Sequence, residues 1–279
     1  SEMCIRDRDA AALRVRELMY ESVREQLVSD VPLGGFLSGG LDSSIIAALA
    51  HRAAPGRYDA YAIGFDREGY NEWEYVREAA RFHGMRCREV RMEESAYPAT
   101  WRWLIAQNGL PCSTSNEIPL YHLAGELKRD FTVALSGEGA DELFGGYVRS
   151  HFSAHDFDRA RRSPLGPGET PGAVDEAMLR LYGRAHFLGL ADHYLSLHTW
   201  IPARHKPHLF NPEVWAGLGR DAALFEFYED WFDRLGRCST FDAYMHTHAR
   251  LNLESLLFRM DSSSMAASVE ARVPFTDHR

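Results

Sequence analysis

A loop that could hold phosphate stands near the start of the chain. It follows a short apolar run and reads Ser38-Gly39-Gly40-Leu41-Asp42-Ser43-Ser44. Two glycines let the backbone approach an anion closely, and the helix predicted to follow presents unpaired amide N–H groups to it. The serines add hydroxyl donors, whereas the Asp42 carboxylate would repel a bare phosphate unless a divalent cation lay between them. The loop therefore predicts a nucleotide site with magnesium; the alternative is a turn in which Asp42 and Ser43 only cap the helix.

A second glycine-containing loop carries two carboxylates. It follows a short apolar strand predicted over residues 131–135, and it reads Ser136-Gly137-Glu138-Gly139-Ala140-Asp141-Glu142-Leu143-Phe144-Gly145-Gly146-Tyr147. Glu138 stands between two glycines and Asp141 follows it closely, so both carboxylates leave the carboxyl end of a strand on flexible backbone. An acidic helix N-terminus is the alternative, because Asp and Glu are favourable at that end of the helix dipole. The two loops together favour a shared ligand site.

A third segment, residues 251–275, sets charged residues in a small and apolar sequence that is typical of buried structure. The charges in it are Arg259, Asp261, Glu270 and Arg272. Buried charges must be paired. An ion network of Glu270 with Arg272 or Arg259 explains this pattern as well as direct catalysis does.

Hydrophobic patterns place the first two loops on an α/β scaffold. Strands are predicted over residues 31–37, 58–65, 86–92 and 131–135. Helices are predicted over residues 9–29, 43–53, 71–83, 96–108 and 117–129. Repeated strand–helix–strand order implies a parallel sheet with helices on both faces. Ligands of such sheets lie beyond the carboxyl ends of the strands, which is where both loops are predicted to stand.

The second half of the chain has a different character. Helical spacing over residues 178–197 and 222–235 predicts a mostly helical part. The predicted plan is an α/β part over about residues 9–150 and a mostly helical part over about residues 151–279. Residues 1–8 resemble a non-native leader. The chain also stops inside a patterned stretch, which predicts a C-terminally truncated fragment of a longer protein.

Composition limits the classes of function. The chain has 279 residues, 45% of them hydrophobic, and a net charge of −9. This acidic balance argues against a general nucleic-acid surface or an anionic membrane surface, and neither partner is expected. No apolar run approaches the ~20 residues that span a bilayer, so the cytoplasm is the expected compartment. The four cysteines show no paired spacing, and neither a zinc ribbon nor a disulfide framework is predicted.

The three motifs, in this order along the chain, carry a family resemblance. The loop over residues 38–44 resembles the pyrophosphate-binding loop of the N-type ATP pyrophosphatases. Together with residues 136–147 and Ser264-Met265-Ala266-Ala267-Ser268-Val269-Glu270-Ala271-Arg272-Val273-Pro274-Phe275, it resembles the synthetase domain of glutamine-hydrolysing asparagine synthetases. The resemblance implies an α/β fold of the adenine nucleotide α-hydrolase type, followed by the mostly helical second half.

The resemblance also implies an activity and a role for each matching residue. Aspartate would be adenylated by ATP to β-aspartyl-AMP with release of pyrophosphate, and ammonia would then displace AMP to give asparagine. The pyrophosphate would be held by Ser38, Gly39, Gly40, Leu41, Asp42, Ser43 and Ser44. Leu37 and Ile63 would contact adenine or ribose, and Ser136 and Gly137 would touch the nucleotide. Asp42 and Asp141 would coordinate Mg²⁺, and Glu138 would serve as the acid/base group for ammonia attack.

Two departures from the family pattern lead to further expectations. The N-terminal glutaminase domain of the family has no counterpart in this sequence, so ammonia is expected from a glutaminase domain outside the chain. Ser262 stands where the family often has Lys or Arg, a residue that steadies phosphate charge, and this places the rate or the substrate in question. The resemblance allows for a homodimer without specifying one.

Two other functions compete with asparagine synthesis. The first is the same adenylation chemistry on another carboxylate, as in β-lactam synthetases or related amidotransferases. The second is a non-catalytic remnant that binds nucleotide, for which Ser262 and the two irregular chain ends are the motivation. The complete set of Asp42, Glu138 and Asp141 argues against such decay.

Overall fold

The computed structural model of the chain describes residues 2–67, 69–162, 165–199, 201 and 203–278. Ser1 and Arg279, at the two ends on which the predictions of a leader and of a truncation rest, lie outside the described residues. The chain forms two compact units, one of residues 1–144 with 251–279 and the other of residues 145–250. The plan from sequence placed everything after about residue 150 in the second part, whereas residues 251–279 group with the sheet.

A five-stranded parallel sheet forms the centre of the first unit. Its strands are β1 (Leu33–Phe36), β2 (Ala60–Phe65), β3 (Cys87–Met92), β4 (Val133–Leu135) and β5 (Glu270–Arg272). Their spatial order is β3-β2-β1-β4-β5, and every neighbouring pair is parallel. The predicted parallel α/β class is therefore confirmed. β5 was not predicted, because three residues with two charges show no strand pattern; its pairing with β4 creates it.

Seven helices surround this sheet in the described part of the first unit. They are α1 (Glu2–Gln26), α2 (Leu41–Ala53), α3 (Trp73–His83), α4 (Tyr97–Asn108), α5 (Glu117–Leu127), α6 (Ala140–Phe144) and, after the second unit, α13 (Leu253–Ala266). α3 ends at Gly84 in the left-handed conformation, as the sequence predicted from that glycine. No helix among the described residues is long and apolar enough to cross a membrane.

Alternation along β1 distributes its side chains between two cores. Leu33 lies on one face, in a buried cluster with Ile46 of α2 and Val76 of α3. Phe36 lies on the other face, in a cluster with Leu123 of α5 and Met260 of α13. Successive side chains of a strand point to opposite faces, so burial on both sides requires helices on both sides. The prediction of helices on both faces is confirmed.

The second unit is helical in its described residues. Its helices are α7 (Val148–Arg161), α8 (Pro171–Tyr182), α9 (Leu190–Leu197), α10 (Pro212–Gly217), α11 (Ala222–Leu235) and α12 (Thr240–Thr247). The prediction of one helix over residues 178–197 was wrong. Gly183 adopts a left-handed φ of 72° and ends α8, because a glycine pays no Cβ penalty there, and α9 starts only at Leu190.

Three histidines lie in the interior of this helical unit. His193 shares a hydrogen bond of 2.5 Å with the Tyr244 hydroxyl, and His248 shares one of 2.7 Å with the Ser150 hydroxyl. The His198 ring stacks on Tyr194 with 4.4 Å between ring centroids. Burial lowers the pKa of His193 to about 4, that of His198 to about 3 and that of His248 to about 4. All three are therefore neutral in the folded chain at pH 7.

The chain is expected to lose stability as pH falls below about 6.5, the ordinary pKa of histidine in the unfolded state. The folded pKa values are depressed, so the unfolded state binds more protons as pH falls toward 4, and stability falls with it. Each histidine contributes on the order of 1 kcal/mol per pH unit. Thermal unfolding between about pH 7.5 and 5.5, where most carboxylates stay ionised, measures this. His198→Phe should make the free energy of unfolding less dependent on pH. An unchanged slope of this free energy against pH in that variant would contradict the prediction.

Candidate active site

The loop after β1 is closed by its own serines. The Ser38 N–H donates to the Ser43 hydroxyl oxygen at 3.1 Å, and the two hydroxyls lie 2.9 Å apart. The Gly40 N–H donates to the Ser38 hydroxyl oxygen at 3.2 Å. Gly39 has a φ of 86°, and a Cβ on it would lie 2.9 Å from the Cβ of Tyr75. Only glycine fits this position, so the loop is a compact turn with its backbone at the carboxyl end of β1.

The start of α2 leaves amide groups available at this loop. Gly40 precedes the helix and supplies no side-chain cap, and the hydroxyls of Ser43 and Ser44 donate to its carbonyl oxygen at 3.3 and 2.7 Å. Asp42 stands in the first turn, one residue inside the helix start at Leu41. The alternative in which Asp42 and Ser43 cap the helix is therefore not the geometry of the described residues. First-turn N–H groups without a cap favour an anion.

The second loop meets the first one backbone to backbone. β1 and β4 are neighbours, so the loops that follow them share one edge of the sheet. A Cβ on Gly137 would lie 2.6 Å from the Ser43 backbone nitrogen and 2.8 Å from the Asp42 carbonyl carbon. No side chain other than that of glycine fits this contact. Asp42 and Asp141, in the first turns of α2 and α6, and Glu138 on the second loop therefore all lie at this edge of the sheet.

Gly137→Ala is expected to force the two loops apart. The added methyl meets backbone atoms, which give way only by moving a loop, at a cost of about 1–3 kcal/mol in the free energy of unfolding. Chemical denaturation of the variant and of the unsubstituted chain measures this difference in the free energy of unfolding. Gly125→Ala on α5 is the matched control, since nothing lies within 4 Å of its added Cβ. Equal behaviour of the two variants would contradict the loop contact.

Two candidate magnesium ligands, Asp42 in α2 and Asp141 in α6, follow the two loops. Both are half-buried, and burial raises the pKa of each above the ordinary value. The charge of Asp141 raises the pKa of Asp42 further. No ion pair among the described residues includes either of them, nor do the described residues contain three or more metal-ligating side chains in one group. Two carboxylates that complete their coordination with substrate phosphates fit the usual binding mode of Mg²⁺.

Glu138 has an ionic partner that the sequence did not indicate. The guanidinium of Arg259, on α13, donates to its carboxylate in an ion pair that is largely buried. Burial raises the pKa of Glu138, the nearby Arg259 lowers it, and the charges of Glu142 and Asp141 raise it again. A carboxylate with a raised pKa is a stronger base once ionised. The only sequence signal for this pair was the charge of Arg259 within an otherwise small and apolar helix.

The other charges of the closing segment have structural roles. Arg272 pairs with Glu270 at 2.7 Å, and it also donates to the carbonyl oxygens of Gln26 and Val28 at 2.6 and 2.8 Å. Glu270 and Asp261 are exposed, so the expectation that all four charges are buried was wrong for these two. The sequence left open whether Glu270 pairs with Arg272 or with Arg259. Glu270 pairs with Arg272, and Arg259 pairs with Glu138 on the second loop.

Ile63, near the end of β2, lies beside a cavity. It packs in a cluster with Met92, Phe65 and Tyr97, and these three also line a cavity of about 400 Å³. The full lining is Phe65, Asp66, Arg67, Tyr70, Met92, Glu94, Tyr97 and Pro98. Small-molecule sites have this size and this mainly apolar and aromatic character. The cavity stands at the carboxyl ends of β2 and β3.

Three further predicted positions take clear places. The Leu37 side chain is 1% exposed and packs in the core, so only its backbone faces the loop. Ser136 is buried at the start of the second loop, and its hydroxyl accepts from the Glu138 N–H at 3.3 Å. Ser262 lies on α13, where its hydroxyl donates to the Arg259 carbonyl oxygen at 3.2 Å.

Comparison with known proteins gives consistent results. The family model described as asparagine synthase matches residues 14–279. Asparagine synthetase [glutamine-hydrolyzing] 1 of Bacillus subtilis is 32% identical over 97% of this chain, which covers 43% of that relative. A putative asparagine synthetase [glutamine-hydrolyzing] of Mycobacterium tuberculosis is 30% identical over 94% of the chain and is covered to 40%. The chain thus spans less than half the length of these curated relatives.

A solved structure is also similar. It is an NH3-dependent NAD synthetase from Campylobacter jejuni, with a TM-score of 0.37, 15% sequence identity, and coverage of 77% of this chain and 95% of that one. The family model matches nearly the whole chain, residues 14–279, and this match shows the family. The chain belongs to the asparagine synthase family.

Proposed function

We propose that the complete protein makes asparagine in two steps. ATP adenylates the side-chain carboxylate of aspartate with release of pyrophosphate, and ammonia then attacks the acyl carbon and displaces AMP. The observation that carries the proposal is the backbone contact of Gly137 with Asp42 and Ser43, which unites the two loops at one sheet edge. Membership of the asparagine synthase family supports the reaction class.

The loop over residues 38–44 would bind the pyrophosphate part of ATP. Its available first-turn N–H groups, its serine hydroxyls and its close backbone favour a polyanion. The backbone of Leu37, together with Ser136 and Gly137, would lie along the rest of the nucleotide. The cavity next to Ile63 has room and apolar walls for a purine ring.

Asp42 and Asp141 would hold magnesium between them and the phosphates. They fit this role because the charge of Asp141 acts on Asp42 and neither carboxylate has an ion-pair partner in the described part of the chain. Bound magnesium would screen the charge that builds on the leaving pyrophosphate. The two aspartates would in addition keep the phosphate loop and the second loop in register.

Glu138 would accept the proton of the attacking ammonia. Ammonia must lose a proton as it becomes an amide, and a carboxylate next to the acyl carbon can take it. Burial raises the pKa of Glu138, which strengthens it as a base, and Arg259 opposes this shift and favours the ionised form. The ammonia itself would come from glutamine, hydrolysed in a further domain of the complete protein; the printed names of the relatives call those proteins glutamine-hydrolyzing.

Pyrophosphate release tests this proposal. The complete protein, supplied with magnesium, ATP and an ammonium salt, is expected to release pyrophosphate only when aspartate is present, and to form asparagine in equal amount. A panel of other carboxylic acids tests the related amidotransferase and β-lactam synthetase-like alternatives, since release with one of them instead would assign that substrate. No release with any carboxylate, despite ATP binding, would contradict the proposal and indicate a nucleotide-binding remnant.

A further inference from the structure

Glu138 stands on backbone that cannot orient it alone. It lies between two glycines, and Gly139 has a φ of 93°. A Cβ on Gly139 would lie 2.6 Å from Thr276 and 3.3 Å from Leu253, so the closing segment packs directly against this loop. A reacting group on a glycine-flanked loop needs a support from a rigid element to keep its geometry. The closing segment is the part of the chain that can supply one.

Arg259 is the side chain from that segment which reaches Glu138. Only 12% of the Arg259 side chain and 20% of the Glu138 side chain are exposed, so the ion pair is shielded from water. Charge-assisted bonds of this kind are the strong ones, and the planar guanidinium constrains their direction. The Arg259 Nε is buried without a hydrogen-bond partner among the described residues. Within the described residues, the guanidinium is held by its Nη2 contact with Glu138.

α13 is firmly anchored, which makes Arg259 a fixed support. The next residue, Met260, is buried in the core under the sheet, and Ser263 and Ser264, one turn further on, are fully buried. The other charges that act on Glu138 cannot hold its carboxylate in place. Asp141 and Glu142 carry the same sign as Glu138 and repel its carboxylate.

We propose that Arg259 is a positioning residue that fixes the Glu138 carboxylate for the attack of ammonia and acts only through it. The inference rests on the function proposed above. In that function Glu138 acts in the amide-forming step, so Arg259 would serve the same step. Ser262 contributes no charge at the site, and its hydroxyl bonds back to the carbonyl of Arg259.

A double-mutant cycle in the complete protein tests this role. Arg259→Met should lower kcat for amide formation by about 10- to 100-fold, because a misplacement of a reacting group by about 1 Å can cost about 10²-fold. The KM for ATP and the rate of pyrophosphate release should change less than threefold. Arg259→Lys should recover part of kcat, because it restores the charge without the planar fork. The double variant Glu138→Gln with Arg259→Met should be no slower than Glu138→Gln alone, since the arginine then has nothing to position.

Several results would overturn the inference. Additive losses in the double variant would show that Arg259 acts on the substrate itself, and equal losses of pyrophosphate and amide would place it in adenylation. Arg129→Met, which removes an exposed ion pair with Glu126, is the control and should leave both products unchanged. If Arg259→Met fails to fold, Arg259→Lys replaces it as the test. An amide rate in Arg259→Lys equal to that of the unsubstituted protein would then overturn the positioning role. An unsubstituted protein that releases no pyrophosphate would instead contradict the proposed function.

Discussion

Asp42→Asn is expected to slow pyrophosphate release from magnesium–ATP by about 10²- to 10³-fold. The Asp42 carboxylate, whose pKa the charge of Asp141 helps to raise, would become a neutral amide, which cannot supply the charge that Mg²⁺ requires from an oxygen ligand. A metal ion contributes several kcal/mol of charge stabilisation, and each 1.4 kcal/mol corresponds to about tenfold in rate. Steady-state pyrophosphate release at several magnesium concentrations measures the effect.

The same substitution elsewhere provides the control for Asp42. Asp59 immediately precedes β2, at the opposite edge of the sheet, and pairs with Arg86 at 2.8 Å. Asp59→Asn should leave pyrophosphate release within about twofold of the unsubstituted protein, because surface ion pairs contribute little. High magnesium should partly restore Asp42→Asn, since the site is weakened and not removed. Normal release by Asp42→Asn at low magnesium would exclude Asp42 from the site.

Glu138→Gln is expected to separate the two half-reactions. Pyrophosphate should still appear, while amide formation should fall by about 10²- to 10⁴-fold, the usual contribution of a general base. The glutamine keeps the size of the side chain and its hydrogen-bonding oxygen toward Arg259, but it cannot take a proton. Parallel assays of pyrophosphate and amide in one reaction measure the split, and the adenylate should hydrolyse or accumulate.

A matched glutamate shows whether the effect is specific. Glu89 on β3 is also held by an arginine, Arg77, at 2.5 Å, but it lies away from both loops. Glu89→Gln should leave both products unchanged. Magnesium-dependent nucleotide binding should survive in Glu138→Gln, because Asp42 and Asp141 are intact. Equal loss of pyrophosphate and amide would mean that Glu138 acts in nucleotide binding or adenylation, and its assignment as the base would be wrong.

Local chemistry explains why much of this protein could be predicted. The loop over residues 38–44 could be predicted because it depends on its own residues. Gly39 supplies the positive φ of the turn, and the apolar run of β1 ends just before the loop that precedes α2. Three of the five strands were predicted from apolar runs of their own, and β3 was predicted from the alternation of its residues. The helix over residues 178–197 failed, because apolar periodicity continued through Gly183 and hid the left-handed turn that ends α8.

Tertiary structure decided which residues meet. Arg259 and Glu138 are 121 residues apart, and the pairing of β5 with β4 likewise joins distant segments. Periodicity and turn chemistry report only on neighbours along the chain, so they cannot specify the partner of a buried charge or a strand of three residues. The motifs thus determined the residue types of the site and the backbone of each loop. Only the packing of Gly137 against α2 and the ion pair of Arg259 with Glu138 determined how the candidate site residues come together.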